Sequence, residues 1–244
     1  MKNIKCAIEA RMGSKRLPGK TMKILKDKNR LIDFVISNAL SSKHLNRNNI
    51  YLLTSKSKNN KKLVKYVKRK YNIKVVMGPE ENVFERYKCF KKFKNFPIVR
   101  LTADNPIVDP FLINKFIDYF NTKKIDYLTT RAMEHSANWK EKSDFPKGVS
   151  IEMFSSNKLF ENEKKFSKKI IDSPTWFFFN RKFKAKVRKF CSFDIYRKHT
   201  YRKTLSIDTK KDYMIVKNFI KKNNCLPGKN NLYNFYLKKL NYEK

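Results

Sequence analysis

Ala10 to Thr21 reads ARMGSKRLPGKT and sets four cations, Arg11, Lys15, Arg16 and Lys20, around one proline and two of the chain's five glycines. Glycine reaches backbone angles closed to other residues and lets a main chain approach a ligand, while Pro18 fixes one φ between Gly13 and Gly19. Such a loop suits phosphate. Ahead of it Ile4, Cys6 and Ile8 alternate as in a strand, and behind it LIDFVISNAL, 31–40, has helical spacing. The loop therefore sits at the carboxyl end of a strand, where open α/β sheets take their ligands. A Walker A loop has four residues between its first glycine and Gly-Lys-Ser/Thr; here five intervene, Ser14 to Pro18. An ATP-dependent kinase loop of altered register and a basic surface loop without ligand are the competing readings.

Strand and helix go on alternating. IYLLT (50–54) and IKVVM (73–77) flank the helical KKLVKYVKRKY, whose Leu63, Val64, Val67 and Tyr71 share a face. After Gly78-Pro79 a helix over about 81–93 spaces Val83, Phe84, Tyr87 and Phe90 for a core, with Glu80 and Glu81 at its positive end. Ile98, Val99 and Leu101 make the next strand, and Asp109-Pro110 starts a helix with an N-cap and a proline at N1. DYLTT (126–130) and GVSIEMFS (148–155) read as strands, and a lysine-rich helix spans 157–171. A last strand ends in Asp208 before a helix, and a peripheral helix covers 231–240. The order predicts a single α/β domain over 1–244, a largely parallel sheet with helices on both faces. Residues 131–147, polar and irregular with His135 and Trp139, read as a lid, a dimerisation arm or both. Trp176 to Phe179 form an apolar knot for the core or a dimer interface.

Fifty-eight lysines and arginines against 21 acids give +37 and raise a nucleic-acid-binding alternative. The lysines are spread through nearly every segment instead of forming one stripe, and no common recognition module is present, so no specific nucleic acid is expected. Cys6, Cys89, Cys191 and Cys225 are far apart and make neither a zinc pattern nor a disulfide framework. With no signal-like start and no apolar run near the roughly 20 residues of a membrane span, a soluble cytoplasmic protein is expected.

Several side chains carry two readings each. Asp104, leaving its strand through ADNP, is a turn former or, on the same sheet edge as the loop, a magnesium ligand. Asp208 helps start a helix, since Thr209 and Asp212 imitate a capping box, or belongs to a site. Arg86 is a solvated helix arginine or a ligand contact, and Glu152 lies on an amphipathic strand with polar positions in solvent or touches substrate.

ARMGSKRLPGK closely resembles the signature loop of the cytidylyltransferases that activate acidic sugars, the acylneuraminate, 3-deoxy-octulosonate and spore-coat-polysaccharide types. GPEENVFERY, RLTADNPIVDP and SIDT resemble further segments of that family in the same order. The resemblance implies a three-layer nucleotide-diphospho-sugar-transferase-like (Rossmann-like) fold with a mainly parallel mixed sheet, and CMP transfer from CTP to the anomeric hydroxyl of an acidic sugar. It implies Arg11 and Lys20 as the catalytic cations, and a nucleotide held by Ala10, Arg11, Met12, Gly13, Ser14, Lys20, Arg86 and Ala103. It further implies Mg2+ on Asp104 and Asp208, sugar contacts from Gly148 and Glu152, and a homodimer. Two departures stand out: Ser150 replaces an expected acid, and the Glu-His pair of the spore-coat type is missing near 172–183.

Overall fold

A computed structural model describes residues 4–93, 96–130, 145–189 and 204–242. Its first strand, β1 (Lys5–Glu9), is the centre of a seven-stranded sheet completed by β4 (Ile50–Ser55), β5 (Lys74–Gly78), β6 (Pro97–Thr102), β7 (Tyr127–Thr129), β8 (Glu152–Ser155) and β9 (Val187–Lys189). The spatial order is β5-β4-β1-β6-β8-β7-β9, and β8 alone runs against its neighbours among the described strands. The sheet is mixed and mainly parallel, as expected. From β1 the chain builds outward through β4 and β5, then returns to lay β6 on the other side of β1, which makes their carboxyl ends a topological switch point.

Side chains alternate across each strand, so the sheet feeds two cores. Cys6, Ile8, Leu52 and Val99 pack beneath α1 (Leu31–Leu40), α2 (Lys61–Tyr71) and α4 (Pro110–Thr122), together with α8 (Lys210–Lys222) and α9 (Asn231–Tyr242). Ala7, Leu53, Ile98 and Phe154 face α3 (Val83–Tyr87), α5 (Ser156–Phe160), α6 (Lys168–Asp172) and α7 (Trp176–Phe179) on the other side. Helices cover both faces.

Asp109 is the N-cap read from the sequence, and more. One carboxylate oxygen accepts from Leu112 N at 3.0 Å, at the start of α4, and the other accepts from Leu232 N and Tyr233 N at 3.0 and 2.9 Å, at the start of α9. Burial pushes its carboxyl up to about 6 while those amides pull it down. One buried side chain thus fastens two helices.

Four expectations need correction. The helix over 81–93 is only α3 followed by a 3-10 turn at Lys88–Phe90, and Tyr87 and Phe90 are both buried in the core. The helix over 157–171 breaks into α5, a 3-10 turn at Glu163–Lys165 and α6, because Phe166 turns inward, its ring 4.8 Å from Phe84 and 5.4 Å from Phe177. Residues 204–208 form no strand and run irregularly, with a bend at Ser206, beside the sheet. Val64 is half-buried, while Leu63, Val67 and Tyr71 are buried. A short hairpin, β2 (Ile24–Lys26) with β3 (Asn29–Arg30), turns at Asp27 and was not legible in the pattern. Trp176–Phe179 is core, with Phe177 and Phe178 buried. Residues 131–144 of the expected arm, with His135 and Trp139, lie outside the described residues.

Asp109→Ala strands backbone amides at two helix starts and should cost about 2 kcal/mol in urea unfolding. A loss under about 0.5 kcal/mol would mean that Asp109 fastens neither helix.

Candidate active site

A cleft of about 1080 Å³ opens at the switch point, lined by Glu9, Ala10 and Arg11 at the end of β1 and by Thr102, Ala103 and Asp104 at the end of β6. The two strand ends are in register, Glu9 beside Thr102, and Ala103 N donates to Glu9 O at 2.9 Å.

Residues 11–20 form one wall. Gly19 has φ +67, the left-handed region that favours glycine, and starts a 3-10 turn over Lys20–Met22. Gly13 does not: its φ is ordinary, and what it supplies is room, since a Cβ there would lie 2.9 Å from Glu80 Oε1. Residues 10–14, expected to hold a nucleotide, have most of their backbone amides engaged within the protein. Ala10 N donates to Leu53 O, Met12 N to Asn60 Oδ1 and Ser14 N to Met12 O, which leaves Arg11 and Gly13 as the uncommitted amides of that run among the described residues. Met12 packs against the core and does not line the cleft. The chain leaves the loop through a 3-10 turn and a hairpin, not the α-helix that must follow a Walker A loop, and the kinase reading is discarded.

Opposite the loop, two carboxylates from distant segments meet. Gly148, at φ +97, allows residues 204–207 to pass so close that a Cβ would land 2.0 Å from Ser206 N. Leu205 N donates to Lys147 O at 2.6 Å, and Ile207 N donates to Asp104 O at 2.9 Å. That delivers Asp208 beside Asp104. Lys20 Nζ lies 3.0 Å from Asp208 Oδ1, 3.5 Å from Asp104 Oδ2 and 2.6 Å from Ile207 O. Arg16 reaches the same Asp208 oxygen at 3.0 Å. Burial alone would raise the Asp208 carboxyl, but Lys20 and Arg16 hold it below the usual range. Asp104 Oδ1 is buried with no partner among the described residues. The Thr209–Asp212 capping box is formed as well, so Asp208 stands both at a helix start and beside Asp104.

With that geometry in view, a sequence model of the cytidylyltransferase family matches residues 6–240. The chain belongs to the cytidylyltransferases. This cytidylyltransferase is 30% identical over 222 residues to the spore coat polysaccharide biosynthesis protein SpsF of Bacillus subtilis, across 89% of its own length and 86% of that protein's. Among solved structures it resembles a cytidylyltransferase from Leptospira borgpetersenii, with a TM-score of 0.80 and 23% identity over 100% of this chain and 96% of that one. A CMP:2-keto-3-deoxy-manno-octonic acid synthetase complexed with CTP has the same fold, at a TM-score of 0.63 and 14% identity over 90% and 98% of the two chains.

Behind the strand ends the cytidylyltransferase carries a polar belt absent from its sequence reading. Arg100 donates through Nε and Nη2 to Glu9, at 2.9 and 2.7 Å, and through Nη1 to Glu152. Tyr87 OH donates to Glu9 at 2.6 Å, and Tyr127 OH donates to Glu152. Burial would raise Glu9, yet Arg100 holds it ionised, and both tyrosines stay protonated because burial and the neighbouring carboxylates push them well up. Arg100 and Glu9 line the cleft; Glu152, 2% exposed and committed to Arg100, does not, and neither does Gly148. The picture of Glu152 with its polar end in solvent is therefore wrong. Arg86 lines the cleft but donates to Pro79 O and Glu80 O, at 2.8 and 3.0 Å, passing where a Cβ on Gly78 would clash, so it shapes the turn that carries Glu80. Alternating polar positions at Glu9 and Arg100 were the one signal for the belt, and nothing local paired them.

Arg100→Met would leave the buried Glu152 and the half-buried Glu9 without a cation and should lower the unfolding free energy by about 3–5 kcal/mol, with part regained on adding Glu152→Gln. A loss under about 1 kcal/mol would show that the belt is solvated and idle.

Proposed function

We propose that the chain transfers CMP from CTP to the anomeric hydroxyl of an acidic sugar, releasing pyrophosphate, with Mg2+ as cofactor, in the synthesis of a surface polysaccharide. One juxtaposition carries this reading: Lys20 Nζ stands 3.0 and 3.5 Å from Asp208 and Asp104, so a cation of the phosphate loop and two carboxylates from remote segments share one rim of the sheet. The spore-coat relative supports the polysaccharide, and the likeness to a synthetase complexed with CTP supports the nucleotide.

In this reading the hydroxyl attacks the α-phosphorus and the phosphates lie along residues 11–20. Arg11, Arg16 and Lys20 offset charge on the departing oxygens, and the Arg11 and Gly13 amides bind them. Positioning and electrostatics supply nearly all the catalysis in such transfers. Asp104 and Asp208 suit magnesium, which takes one or two carboxylates and completes its shell with phosphate and water, and the unpartnered Asp104 Oδ1 suits it too. When bound, the ion would neutralise charge on the pyrophosphate. Ala10, Ser14, Arg86 and Ala103 shape the nucleotide's walls and Met12 backs the loop from the core, while Glu152 acts through Arg100 and Gly148 by seating the Asp208 segment. The homodimer belongs to the same proposal.

Purified protein with CTP and Mg2+, screened against a panel of 2-keto-3-deoxy sugar acids, should release pyrophosphate with at least one of them. Release from ATP or UTP in preference to CTP would contradict the reading. Lys20→Ala should slow turnover by about 10²-fold or more; a full rate would remove Lys20 from the chemistry. Asp208→Asn should move the magnesium titration of the rate to higher concentration, and an unchanged titration would leave Asp208 a helix cap.

A further inference from the structure

The geometry points to a second task for Lys20: it occupies the Asp104–Asp208 pair as an internal cation until a triphosphate draws it away, so that the divalent ion enters with the nucleotide and not before. This rests on the reading that these two carboxylates hold the ion.

An ammonium has three donors, and Lys20 has three acceptors in place: Ile207 O at 2.6 Å, Asp208 Oδ1 at 3.0 Å and Asp104 Oδ2 at 3.5 Å. Its side chain is only 14% exposed, so it is a lodged group and not a solvent-swept one. Arg16 adds a second positive charge 3.0 Å from the same Asp208 oxygen. Two negative charges thus face Lys20 and Arg16, with Lys147 also acting on Asp208, and a divalent ion arriving alone would meet a site with no net negative charge and an ammonium already seated in it. At these separations like charges repel strongly, and a chain with a formal charge of +37 offers no compensating background. A triphosphate changes the balance by giving Lys20 and Arg16 new anionic partners, which frees both carboxylates at the moment when a metal ion is wanted. The free Asp104 Oδ1 is the oxygen that the ammonium leaves unused. Lys20 therefore sets the metal affinity of the nucleotide-free enzyme and couples metal to nucleotide.

The test is a Mn2+ titration followed by electron paramagnetic resonance, on full-length protein without nucleotide. Wild type should bind Mn2+ weakly. Lys20→Gln, which keeps a donor for Ile207 O and loses the charge, should bind it at least about tenfold more tightly. Adding Asp208→Asn to Lys20→Gln should abolish the gain, and Lys20→Arg, which keeps the charge, should stay as weak as wild type. Equal affinity of wild type and Lys20→Gln would overturn the proposal, as would a gain that survives Asp208→Asn. If Lys20→Gln does not fold, as judged by circular dichroism, Lys20→Met takes its place with the same two outcomes. Pyrophosphate release from CTP by wild type is measured apart, so a gate that fails leaves the transferase reading standing.

Discussion

The backbone hydrogen bond from Ile207 N to Asp104 O, at 2.9 Å, sets Asp208 beside Asp104, and the candidate site depends on it. Closing a loop of about a hundred residues costs several kcal/mol of entropy, growing only slowly with length, so the contact must be backed by others. Those are the bond from Leu205 N to Lys147 O, the absent side chain at Gly148 that lets the segments touch, and the capping box that starts α8 just beyond. Asp208 is where it is because its backbone has nowhere else to go. On the other side, Arg100 clamps the ends of β1 and β6 through Glu9, and these strand ends lead into Arg11 and Asp104.

Charge is distributed against the grain of the composition. Six of the chain's 21 acidic residues line the cleft, but only seven of its 58 lysines and arginines do. A surface that is broadly basic therefore encloses a nearly balanced site, in which Arg11 faces Glu80 at 3.7 Å and Lys20 faces two aspartates. Affinity for polyanions in general would need no such balance. Paired cations fit a ligand whose own charges replace the partners one by one, and this is the electrostatic reason to set the nucleic-acid alternative aside.

Much of this was legible. The strand before the loop, α1 over 31–40, the β4–α2–β5 unit and the double signal of Asp109-Pro110 are short-range patterns, and each lies where the sequence puts it. Arg11, Lys20, Asp104 and Asp208 were named from motifs, and the structure brings all four to one cleft. What escaped was non-local. No spacing rule pairs Glu9 with Arg100 and Glu152 across three strands, and none says that Phe166 will break a helix to reach Phe84. Gly13 and Gly19 look alike in sequence, yet one gives space and the other a backbone angle. Gly148 and Glu152 were read as contacts and instead stand behind the residues that line the cleft.

A crystal grown with CTP and Mn2+, measured for anomalous scattering at the manganese edge, tests the convergence most directly. The account predicts one strong peak within coordination distance of both Asp104 and Asp208, with the triphosphate along residues 11–20 and Lys20 turned onto it. A triphosphate bound away from that loop, or a manganese ion touching neither carboxylate, would contradict it.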